Sequence, residues 1–173
     1  MITLKYIKDE IQKIAEAIEA VLEIDVTIVD ENLVRVAGTG IYVEKIGKKV
    51  NGYSAFKKSI IEQSNILITD PSCNEICKEC YSRSDCREFS EMCCPIVCEG
   101  KSYGVIGLIA FDSEQADRIN KDHENLINFL GKMADLISNK LKAQIKAYEL
   151  ELEKKKLETL LDSMDKAIVS IDV

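Results

Sequence analysis

The 173-residue chain has one histidine, only two prolines and no excess of positive charge. These shortages narrow the function. With His123 as the sole imidazole, a histidine-based hydrolase or triad has little support. His123-Glu124 lacks the flanking residues of a kinase phosphoacceptor and reads as helix surface or dimer interface. Twenty-three Lys and Arg face 30 Asp and Glu, a net charge of −7. Clustered cations able to neutralise nucleic-acid phosphates are therefore not expected. No apolar run is long enough to span a bilayer. The opening Met1-Ile2-Thr3-Leu4-Lys5 lacks the basic-then-apolar pattern of a signal peptide. A cytoplasmic chain without membrane contact is the expectation. Gly38-Thr39-Gly40 is no dinucleotide fingerprint, because its third glycine is missing and no helix is expected after it. Paired acids at Asp30-Glu31 and at Glu149 and Glu151 read as solvated surface, as does the run from Lys154 to Lys156. No catalytic constellation emerges.

What the chain does have is cysteine. All seven lie within residues 72–98: Cys73, Cys77, Cys80, Cys86, Cys93, Cys94 and Cys98. In a reducing compartment, clustered thiols are more often metal or redox ligands than disulfides. The spacing Cys77-x2-Cys80-x5-Cys86-x7-Cys94-Pro95 supplies four thiolates. That is enough for an iron–sulfur cluster, [4Fe-4S] being favoured, or for structural zinc. One short pair followed by single cysteines, the last before proline, favours the cluster over zinc. A thiol–disulfide switch and unligated buried thiols are the further alternatives. Cys73 is a possible substitute ligand. Cys93 and Cys98 read as bystanders.

Elsewhere the patterns are of ordinary elements. Leu4, Ile7, Ile11, Ile14, Ile18 and Val21 form a helical seam that favours a partner helix, plausibly across a dimer axis, over packing within the domain. Residues 24–30 and 33–37 alternate as two strands around a turn. Residues 54–63 predict a short helix with Ala55, Phe56, Ile60 and Ile61 inward, and residues 65–69 a strand. Pro95 to Cys98 and residues 103–111 form a closing hairpin around Glu99-Gly100-Lys101. The second of these strands is apolar on both faces and so central, with Gly104 and Gly107 permitting close approach. From Glu114 the chain reads as helical for roughly 75 Å at about 1.5 Å per residue, longer than one small domain can bury. Ala167 to Val173 reads as the start of a strand belonging to a further domain.

This order resembles a GAF domain: an α+β sandwich in which helices flank an antiparallel sheet, with a long C-terminal coiled-coil helix. The hairpin through Gly104-Val105-Ile106-Gly107-Leu108-Ile109-Ala110-Phe111 is similar to that family's last two strands. The tail from Leu157 to Asp172 resembles the opening of a PAS domain. Together they resemble the N-terminal half of clostridial-type sigma-54-dependent transcriptional activators. The resemblance implies a sensor over residues 1–113 with a Cys-rich loop at 70–98, a signalling helix at 114–164 and a PAS beginning at 165–173. It also implies downstream effector domains and a non-catalytic homodimer joined through the N- and C-terminal helices. The expected function is sensing of redox state, gas or a small ligand through the cysteine-ligated centre. The alternatives are an input domain of a histidine kinase or cyclic-dinucleotide synthase, with structural zinc and a metabolite pocket bordered by Tyr53 and Phe56, or a redox-enzyme fragment.

Overall fold

Period-two alternation builds the centre of the molecule. In the computed structural model, which describes residues 3–50, 54–80, 84 and 86–171 (backbone alone for Glu79 and residues 165–171), five strands form. They are β1 (Asp25–Asp30), β2 (Arg35–Gly38), β3 (Ile66–Ile68), β4 (Ser90–Cys98) and β5 (Lys101–Ala110). Among the described residues they make one antiparallel sheet in the order β2-β1-β5-β4-β3. The expected α+β class and the central place of β5 both hold. The β4–β5 hairpin closes through Glu99 and Gly100, with φ of 51° and 78°, the left-handed pair that a two-residue turn requires.

The two faces of the sheet carry separate cores. Val26 and Ile28 of β1, Met92, Cys94 and Ile96 of β4, and Ile106, Leu108 and Ala110 of β5 pack on one side. There they meet α1 (Lys8–Leu22), α3 (Ser113–Lys121) and α4 (His123–Ile171). Val29, Ile66, Ile68, Cys93, Val105 and Ile109 face the other side. They meet Ala55 and Phe56 of α2 (Ala55–Glu62) and Tyr42 of the 3₁₀ turn Gly40–Lys45. A β-carbon on Gly107 would come within 2.6 Å of the Phe56 ring, so glycine is what lets that ring lie on the sheet. Ser54 caps α2 by accepting from the Lys57 amide, and Asp112 caps α3 by accepting from the Gln115 amide.

Several local expectations change. The Leu4-to-Ile18 seam is buried within the chain: Leu4, Ile7, Ile11, Ile14 and Ile18 pack into the first core, and only Val21, 70% exposed, points away. The seam's regularity therefore reports packing on its own sheet. Ile61 is 68% exposed, and Ser59 takes the inward position, its hydroxyl donating to the Ser64 carbonyl at 2.8 Å. β4 begins at Ser90, not Pro95, so Cys93 and Cys94 belong to a strand. A 3₁₀ turn does follow Gly38-Thr39. Asp30 is buried: its Oδ1 accepts from the Asn32 and Val34 amides at 2.9 and 2.8 Å, and Lys5 reaches Oδ2 at 3.7 Å. The backbone stays helical through Ile171, where a strand was expected.

The first turns of α4 bury Leu126, Leu130, Ile137 and Leu141 against the sheet. Beyond Ile145 the helix leaves the domain, and Tyr148, Leu152, Leu157, Leu160, Leu161 and Met164 are exposed. No helix among the described residues is long and apolar enough to cross a membrane.

Candidate ligand-binding cavity

The second face of the sheet does not close completely. Between it, α2 and the cysteine loop lies a cavity of about 800 Å³, within the usual range for small-molecule sites. Arg35 at the start of β2, Tyr42, Phe56, Glu88 and Glu91 all line it.

Alternation along β4 explains how an acid comes to be buried there. Glu91 precedes Cys93 by two residues and shares its face; it is 7% exposed. The Cys93 thiol donates to Glu91 Oε1 at 3.4 Å. Burial, followed by the charge of Glu88, pushes the Glu91 carboxyl up to about 8. Glu88 is also raised, by burial, against the opposing pull of Arg35 and Lys45. The Arg35 guanidinium carbon lies 5.0 Å from the centre of the Tyr42 ring, and the Lys45 ammonium 5.1 Å from it. Both are cation–π distances. Tyr42 in turn sits 6.0 Å from Phe111, ring centre to ring centre. Burial drives its phenol far above the ordinary range. Burial also lowers the Arg35 guanidinium, while Tyr42, Glu88 and Glu91 hold it up. Arg35 Nε is buried with no acceptor among the described residues. A buried N–H left unmatched costs about 1–3 kcal/mol, which an incoming acceptor would recover.

The cysteines divide between the two faces. Cys77, Cys80 and Cys86 all line the cavity. Cys77 sits in the 3₁₀ turn Glu75–Glu79, whose Asn74 cap accepts from the Ile76 amide at 3.0 Å. Burial and then Glu91, Cys80 and Cys86 raise the Cys77 thiol to about 11. Cys86 is raised chiefly by burial. These two thiols are protonated at neutral pH and are weak nucleophiles. Cys73 is exposed. Cys94 lies across the sheet in the helix-side core, raised to about 11 by burial and Asp135. It therefore does not join the other three members of the expected ligand set. Cys93 is buried on the cavity side and Cys98 is also buried. Among the described residues, no three His, Cys, Asp or Glu side chains gather closely enough to hold an ion. Cys77, Cys80 and Cys86 thus border one cavity without converging on a common point. His123 opens α4, its Nδ1 3.2 Å from the Asn120 carbonyl.

Of the two pocket residues expected from the sequence, Phe56 lines the cavity, and Tyr53 lies outside the described residues. Arg35, Tyr42, Glu88 and Glu91 were not anticipated. The available signal was an acid at an alternating position just before Cys93, and an arginine inside a short apolar strand.

Residues 7–135 match the family described as Stage V sporulation protein T C-terminal, transcription factor. The chain belongs to that family. Solved structures similar to this family member include GAF domains. The GAF domain of an Acinetobacter phosphoenolpyruvate-protein phosphotransferase has a TM-score of 0.60 at 14% identity, over 84% of this chain and 86% of that one. The GAF-B domain of DevS from Mycobacterium smegmatis has a TM-score of 0.54 at 12% identity, over 79% and 95%. A type II free methionine-R-sulfoxide reductase from Thermoplasma acidophilum has a TM-score of 0.55 at 16% identity, over 78% and 94%. In sequence, the chain is 30% identical over 171 residues to UacR of Escherichia coli (strain K12), named for uric acid and for sigma-54-dependent transcriptional regulation. The match covers 98% of this chain and 28% of that relative's length.

Proposed function

We propose that this chain is the cytoplasmic, non-catalytic sensory input domain of a sigma-54-dependent transcriptional activator, and that its signal is a small molecule held in the cavity. Similarity to UacR along nearly the whole chain supports the first part. The second rests on one observation: a cavity of about 800 Å³ whose floor holds a buried arginine N–H without an acceptor beside a buried carboxyl. Polar groups are placed at such depth at a cost, and a bound molecule that completes their hydrogen bonds offsets it. The signal leaves through α4. Its exposed Leu152, Leu157, Leu160 and Leu161 suit a second copy of the same helix, and a PAS and effector domains follow. Uric acid, from the name of the relative, heads the compounds to try by thermal shift and calorimetry. Binding is expected in the wild type and lost in Ala55→Leu, which fills the cavity wall, with circular dichroism confirming that the variant is folded. Equal binding by both proteins would place the ligand elsewhere.

A second reading rests on Cys77, Cys80 and Cys86 all lining the cavity. These three thiols hold an iron–sulfur cluster, or zinc, whose fourth ligand is not Cys94. Anaerobic purification followed by iron, sulfide and zinc analysis tests it. A colourless protein free of metal would remove this reading and leave the cavity reading intact.

A further inference from the structure

We infer that α4 pairs with α4 of a second copy in parallel and in register, through a seam of Leu136, Ala143, Leu150, Leu157 and Met164 that begins beside the sheet and excludes Leu152. This rests on the proposed dimerisation through α4. It fixes which face of the helix carries the contact and in which direction the two copies run.

Two apolar stripes run along this helix, and they lie on different sides. Ile145, Tyr148 and Leu152 continue the line of Ile137 and Leu141, which are buried against the sheet. Leu157 follows Leu152 by five residues, a rotation of roughly 140° at about 100° per residue. One seam between two helices therefore cannot bury both stripes. The outer stripe has the longer repeat. Leu136, Ala143, Leu150, Leu157 and Met164 recur every seven residues, and all five are exposed. They take the d positions of a heptad, and Lys140, Ala147, Lys154 and Leu161 then fall at a. Leu136 lies where α4 still covers the sheet, so this seam starts within the domain and runs past its end. The inner stripe has no such reach. Leu141 is fully buried in its own domain, and beyond Leu152 the stripe runs into Lys155 and Thr159.

Charge sets the direction. In a parallel pair each g side chain faces the e side chain five residues further along the other copy, and such pairs choose partner and orientation. Lys146 is at g and so faces Glu151 of the second copy. Glu151 also meets Lys155 of its own helix at 2.8 Å, and a carboxylate can accept from both donors. Glu153 faces Glu158 of the second copy, a like-charged pair, and Lys154 at the a position between them supplies the opposing charge. Lysine at a costs stability and specifies register and the number of helices. An antiparallel pair would set g against g and e against e, and the match of Lys146 with Glu151 would be lost.

The test is the dimer dissociation constant of the whole chain, measured by analytical ultracentrifugation. Leu150→Asp and Leu157→Asp place a charge in the seam and should each raise it at least about tenfold. Leu152→Asp makes the same chemical change outside the seam and should leave it within about threefold of the wild type. Lys146→Glu should weaken the dimer, and adding Glu151→Lys should restore it, because the exchanged charges meet again only in the parallel register. All these positions lie beyond the sheet-packed part of α4, and circular dichroism confirms that each variant keeps its helix. Dissociation by Leu152→Asp as strong as by Leu157→Asp would overturn the seam and leave dimerisation through α4 standing. Failure of the double exchange to restore affinity would overturn the parallel register. A wild-type chain that stays monomeric at millimolar concentration would remove the dimer reading and this inference together.

Discussion

Glu91 makes a direct prediction about stability. Its carboxyl ionises near 4.5 when the chain is unfolded and near 8 in the fold. Between those values the folded protein binds a proton that the unfolded chain has released. Unfolding is then favoured as pH rises, so stability is greatest below pH 4.5 as far as this group is concerned and falls progressively up to pH 8. Each pH unit across that window is worth about 1.4 kcal/mol, so the loss accumulated by pH 8 is on the order of a few kcal/mol. Glu88 is raised by the same burial, so the pair titrates together and the measured slope belongs to both acids. Glu91→Gln keeps the shape of the protonated acid and removes its ionisation. Urea unfolding at intervals from pH 5 to 8 should show the wild type losing several kcal/mol, while Glu91→Gln loses much less and is the more stable protein at pH 8. The window stops at pH 8 because unfolded thiols ionise above it. Parallel curves for the two proteins would refute the reasoning, since they would mean that Glu91 reaches solvent in the folded state.

Other consequences can be checked in the same preparations. Gly107→Ala places a methyl group against the Phe56 ring and should cost about 1–3 kcal/mol by denaturant unfolding. Leu130→Ala removes a fully buried side chain where α4 meets the sheet and should cost about 2–5 kcal/mol in the same assay. If the cysteines hold a metal centre, Cys77→Ser should lower the bound metal measured by elemental analysis, whereas Cys94→Ser should leave it unchanged. Light scattering should report a dimer for the whole chain and a monomer for a chain truncated after Ala147, because the exposed leucines of α4 lie beyond that point.

The sheet was legible in the sequence because each strand carries its own alternation. β5 was identifiable as central from being apolar on both faces, and Gly104 and Gly107 were legible as points of close approach. The start of β4 was not, because Pro95 reads as a boundary. It is tolerated inside the strand because β3 pairs with β4 only at residues 91–93, leaving a neighbour on one side at Pro95. Cys94 entered the ligand set through its spacing and the proline after it, and neither reveals which face of β4 carries the thiol. The seam of α1 misled for a different reason. A helix lying on a sheet and a helix lying on a helix both need one apolar stripe, and the stripe does not name its partner. The grouping of Arg35, Tyr42, Glu88 and Glu91 depends on bringing residues 35–42 against residues 88–91, which no local pattern records.

The alternation of β4 has a consequence for how such a protein can change over generations. Glu91 and Cys93 face the cavity, while Met92, Cys94 and Ile96 face the helices. Odd-numbered positions through Cys93 can drift to accommodate a new molecule while even-numbered ones keep the packing beneath α4, and the reverse holds as well. Recognition and output are thus written in alternate letters of one short word, and each can be edited without respelling the other.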